Sequence, residues 1–94
     1  MIHELKTAPV YFNRSWSGEK LFEVRKNDRH FQKGDSIMLM EWDGEKYTGH
    51  QIFGSITYVL SEFDAINSEY VVFGFKIEFS ALNLFLFFFL PTLF

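Results

Sequence analysis

Residues 70–79, YVVFGFKIEF, place Val71, Phe73, Phe75, Ile77 and Phe79 at every second position. Side chains alternate with period two along an extended strand, so this set shares one face only if the segment is β. Five large apolar groups on one side must lie against a core. The chain is therefore expected to fold around a sheet with one buried face.

The other segments fit that frame. IHELK (2–6) reads as a short strand. Thr7-Ala8-Pro9 predicts the start of a helix, with Thr7 as cap and Pro9 in the first turn. Residues 9–17 suit a short helix with Phe12 and Trp16 on one face, ended by Gly18. KLFEVRK (20–26) alternates as a strand, with Phe22 and Val24 expected in the core and Glu23 and Arg25 on the opposite face. Residues 27–35 carry turn chemistry, 36–42 are an apolar strand, and 43–49 form a hairpin loop on Asp43-Gly44. Residues 50–60 read as a long strand in which Gly54 marks a bulge or bend. Residues 61–69 are a connection with room for one helical turn. The sum is a mainly β, α+β fold: a small mixed or antiparallel barrel of about five strands, one short N-terminal helix plugging an end.

Ninety-four residues allow one core, and 13 Phe, four Tyr and two Trp supply its area without any disulfide. The lack of cysteine excludes a thiolate zinc site and a thiol nucleophile. His3, His30 and His50 are scattered without ligand spacing, so no metal is expected. No cofactor is expected either, since there is no Gly-rich phosphate loop, nucleophile elbow or pair of catalytic carboxylates. MIHELKTAPV has no apolar stretch after its first charges, which argues against a secretory signal, and the lack of cysteine fits a cytoplasmic protein. The domain is expected to occupy 1–78, with an apolar tail at 79–94. Leu84 to Leu90 is uninterrupted but short of the roughly 20 residues a transmembrane helix needs. A packed tail, or a protein partner or self-association surface, is the favoured reading of that tail.

Net charge is −3, yet residues 14–33 hold Arg14, Lys20, Arg25, Lys26, Arg29 and Lys33 against three acids. One basic segment on an acidic domain points to an anionic ligand, and its plain alternative is a solvated hairpin edge. Glu23 and Arg25 stand two apart on one strand face, so the carboxylate can orient the guanidinium. Lys20 leaves the glycine turn towards the same place. Arginine offers a planar fork for phosphate or a base edge, and lysine a mobile point charge. Trp16 and Tyr58 are candidate stacking faces. Taken structurally instead, Glu23–Arg25 is an ion pair over the helix–barrel seam, and Trp16 belongs to the core with Phe12.

The spacing Gly18-x-Lys20-x-x-Glu23-x-Arg25 resembles the G-x-K-x-x-E-x-R signature of ASCH domains, small β-barrels of the PUA-like superfamily. Phe31-Gln32-Lys33-Gly34-Asp35 looks like that family's F-x-x-G-D turn. His3-Glu4-Leu5-Lys6, the run Glu23 to Arg29, Gly49 and Ile56 to Val59 look like a branch of small uncharacterised bacterial and phage proteins. The resemblance spans about residues 2–77. It implies an RNA- or nucleotide-binding module, with Lys20, Glu23, Arg25, Lys26, His3, Trp16 and Tyr58 as ligand-binding residues. It also implies an alternative, an amidohydrolase on an acylated nucleoside with Lys20 assisting catalysis. Against the alternative, Glu23 stands where those enzymes carry a hydroxyl residue, and the acid-bearing segment is shortened to 61–69. A third expectation is a phage or mobile-element accessory acting through protein contacts.

Overall fold

Alternating apolar and polar side chains set five strands around one helix. The computed structural model describes residues 1–61 and 69–81. In chain order these are β1 (Ile2–Thr7), α1 (Pro9–Trp16), β2 (Phe22–Lys26), β3 (Ser36–Trp42), β4 (Tyr47–Leu60) and β5 (Tyr70–Ala81). They form one sheet in the order β1-β3-β4-β5-β2. β1 runs parallel to β3, His3 lying opposite Ile37, and every other pair is antiparallel. The mainly β, α+β reading holds, as a curled half-barrel of five strands with one short helix.

The sheet curls because its inner face is the apolar one. Leu5, Ile37, Leu39, Ile52, Ile56, Val71, Phe73 and Phe75 converge there, joined by Phe12 from α1 and Phe31 from the loop before β3. Phe31 packs on Phe73 with ring centroids 4.9 Å apart. The expected irregularity at Gly54 is present: register shifts between Phe53 and Gly54, and again between Ile56 and Tyr58. Bulges of this kind bend a strand and increase its twist. A Cβ added at Gly54 would stand 2.5 Å from the Lys76 carbonyl oxygen, so the bend leaves room for no side chain.

β1 and β2 are the open edges, and polar side chains span the gap between them. Arg25 Nη2 donates to Thr7 Oγ1 at 3.2 Å, and Arg29 Nη1 donates to the Glu4 carbonyl at 2.7 Å. The F-x-x-G-D turn secures the far end. His3 Nε2–H donates to Asp35 Oδ2 at 2.7 Å, while Gly34 donates to the Ile56 carbonyl and Ile56 to the Asp35 carbonyl.

Two local expectations are corrected. Thr7 does not cap the helix: Ala8 is the N-cap with no side-chain bond, and Pro9 opens the helix as its first residue. Thr7 instead ends β1 pointing inward, its hydroxyl donating to the Leu5 carbonyl. The larger correction is β2, whose faces are reversed. Glu23 is buried and Arg25 half-buried, while Phe22 and Val24 are exposed. Glu23 and Arg25 lie opposite Phe73 and Val71, both on the core face of β5, so pairing register fixes which side turns in. The Glu23 carboxylate is tolerated there because Lys20 and Arg25 both pair with it.

β5 continues through Ala81, and Phe79 stacks on Phe53. The rest of the tail and most of the 61–69 connection lie outside the described residues. Among the described residues no helix is long and apolar enough to cross a membrane.

Candidate functional site

The cluster begins at the end of α1. Ser17 is the C-cap and Gly18 follows at φ 83, a left-handed conformation that costs an L side chain roughly 1 kcal/mol. The Arg14 carbonyl accepts the amides of both Glu19 and Lys20, at 2.9 and 3.0 Å, and the Ser17 hydroxyl at 3.0 Å. The chain is thereby turned back beneath the helix end, and Lys20 enters a groove between α1 and β2. Its ammonium donates to the Phe22 carbonyl at 2.7 Å and to Glu23 Oε2.

Glu23 is 4% exposed. An ionised carboxylate in such surroundings loses several kcal/mol of hydration, on the order of the figure for buried ions generally, unless both oxygens are engaged. Here both are. Arg25 brings Nε to 2.9 Å and Nη2 to 2.8 Å of Oε1, and Lys20 holds Oε2. Arg25 also reaches Thr7, so the cluster ties β2 to β1 while its two cations keep further N–H donors. Two positive groups around one carboxylate leave the cluster with an excess of positive charge.

A cavity of about 620 Å³ opens beside it, lined by Lys20, Glu23 and Arg25 and also by Lys6, Arg14 and Tyr11. Glu19, Thr7, Ala8, Phe22 and Val24 complete the wall. Four cations face two carboxylates there, so the cleft is net positive in a protein that is net negative. A small anion gains from focused charge in such a recess.

The other expected site residues stand elsewhere. His3 is buried, paired with Asp35 and packed on Phe31 with centroids 4.5 Å apart. Trp16 packs on Phe12 and meets His50 edge-on at 5.6 Å, outside the cleft wall. Lys26 is exposed opposite Tyr70, and Tyr58 is exposed on the outer face of β4 opposite Gly74. Sequence reasoning missed Lys6 and Tyr11, and counted Arg14 in the basic segment without assigning it to the site. Ala8, Tyr11 and Arg14 recur every third residue, a stripe adjacent to the Phe12 face that a helical projection would have brought out. It also missed Glu41, a buried carboxylate at the β3 bulge that accepts from Thr48 Oγ1 at 2.7 Å and from His50 Nδ1–H at 3.0 Å.

The described residues thus define a small open β-barrel, its free edges bridged by an ion cluster that forms one wall of a basic cleft. Residues 2–75 match the family described as a domain of unknown function, DUF3850, and the chain belongs to that family. It is also similar to the "Uncharacterized 12.9 kDa protein in GpA 3'region" of Escherichia phage P2, at 40% identity over 58 residues. That stretch covers 62% of this chain and 53% of the phage protein, so the chain spans about half the length of this curated relative.

Proposed function

We propose that this chain is a binding module for a nucleotide or a short single-stranded RNA, held by an anionic group in the cleft. The observation that carries the reading is the buried Glu23 bracketed by Lys20 and Arg25 in the wall of a net-positive cavity of about 620 Å³. The carboxylate fixes both cations in direction, and their remaining donors suit phosphate oxygens. A recess of this size fits one nucleotide unit better than a duplex surface does. The meeting of the Lys20, Glu23 and Arg25 side chains supports placing DUF3850 alongside ASCH domains in the PUA-like superfamily, with a cytoplasmic RNA or nucleotide as partner.

Calorimetric titration with nucleoside monophosphates and short single-stranded RNA tests this, with hydrolysis of an acylated cytidine followed in parallel. Saturable binding, weakened about tenfold or more by Lys20→Met and by Arg25→Gln in variants that still melt cooperatively, is the expected result. Absence of binding would overturn the reading. Turnover dependent on Lys20 would replace it with the amidohydrolase. Unaltered cellular behaviour after truncation beyond Ile77 would argue against a role for the tail as a partner surface.

A further inference from the structure

Next to the basic cleft lies a second cavity of about 280 Å³, walled by Trp42, Asp43 and Gly44 of the β3–β4 hairpin and by Pro9. Lys6, Thr7 and Ala8 line both cavities, so the two are separated by a wall only three residues long. The chemistry of the second cavity differs from that of the first. Trp42 offers an indole face, and Lys6 Nζ lies over it at 4.2 Å from the ring centroid. Tyr47 braces the indole edge-on at 4.8 Å. Asp43 is exposed and accepts the Glu45 and Lys46 amides through Oδ1, and Oδ2 is its second acceptor atom.

We infer that the Trp42 cavity is the ring-binding half of a two-part site whose other half is the Lys20–Glu23–Arg25 cleft. This rests on the reading of that cleft as an anion site, and it narrows the ligand to a nucleoside monophosphate or the equivalent unit of a single strand. The phosphate lies among Lys20, Arg25 and Arg14, and the base stacks on Trp42 with Asp43 Oδ2 accepting from an amino or hydroxyl group. Lys6 links the halves. Its ammonium rests on the indole by a cation–π contact worth about 1 kcal/mol. A phosphate in the adjoining cavity offers it a stronger partner, and its departure uncovers the ring for stacking.

The experiment uses the Trp16→Phe protein, in which Trp42 is the sole indole, titrated with inorganic phosphate, adenosine and adenosine 5′-monophosphate. The monophosphate is expected to bind about tenfold more tightly than phosphate, the worth of one stacked base, and to change Trp42 emission as it saturates. Trp42→Leu should bring the monophosphate down to the affinity of phosphate and leave phosphate itself within about twofold. Equal affinity of monophosphate and phosphate, or a monophosphate advantage that survives Trp42→Leu, would overturn the inference while the anion cleft stands. Failure of every probe to bind would overturn both. The emission change is read on an intact Trp42, so it does not depend on how well the leucine variant folds.

Discussion

Removing the Glu23 charge would leave Lys20 and Arg25 without the carboxylate that lies between them. Breaking a buried ion pair on one side is more damaging than replacing the whole set by apolar groups, since the surviving charge keeps its desolvation cost. Lys20 and Arg25 are partly exposed, which tempers that cost. Glu23→Gln is therefore expected to lower stability by about 2 kcal/mol, read from the urea midpoint at unchanged slope. Asp35 is the residue with a pH signature. The His3 hydrogen bond, foremost among its causes, holds the carboxyl below its ordinary value of 3.8, helped by the Gln32 amide and opposed by burial. A carboxyl whose folded value is depressed contributes fully above the unfolded value of about 3.9 and loses that contribution as pH falls through the folded one. Asp35→Asn should accordingly flatten the acid limb of stability below about pH 4, measured as urea midpoints against pH. An unchanged limb would mean that the His3–Asp35 pair does not couple protonation to folding.

Among the elements, β4 and β2 show how packing overrides pattern. Gly54 sits where a methyl group would meet the Lys76 carbonyl at 2.5 Å, whereas one at Gly74 would meet the Thr57 hydroxyl at 3.3 Å. A backbone carbonyl inside a ladder cannot yield, and an exposed side chain can. Gly54→Ala is expected to cost about 2 kcal/mol or more and Gly74→Ala well under half of that, compared by thermal midpoints. The bulge at Gly54 was legible because glycine inside a long apolar strand has few other uses. The facing of β2 was not. Alternation in FEVRK says that Glu23 and Arg25 share a face, and hydrophobicity then assigns Phe22 and Val24 to the core. The pairing with β5 decides otherwise, and pairing depends on residues some fifty positions away in the chain. Thr7 departs from the cap pattern for a related reason: its hydroxyl is drawn to the Leu5 carbonyl and to Arg25, a partner that only the closed sheet supplies.

At the level of the whole molecule, the sheet is closed by side chains where a complete barrel would use a backbone ladder. Strands β3, β4 and β5 are paired on both edges, while β1 and β2 each leave one edge to Arg25, Arg29 and the helix. Amide exchange is expected to be slowest at Ile37, Leu39, Ile52 and Phe73 and markedly faster along β2, reported residue by residue by hydrogen exchange. Equal protection across all five strands would contradict side-chain closure. The same arrangement explains why the site was half visible beforehand. Lys20, Glu23 and Arg25 fall within one local spacing and do meet, and Arg14 is held beside them by the turn that ends the helix, but Lys6 and Trp42 come near only through the curl of the sheet. The central claim is that an anion enters this recess, and amide chemical-shift mapping of the labelled protein during titration with a nucleoside monophosphate tests it most directly. Saturable shifts are expected at Lys6 to Ala8, Tyr11 and Lys20 to Arg25, with His3 and Tyr58 unmoved. Shifts confined to other surfaces, or none at all, would contradict it.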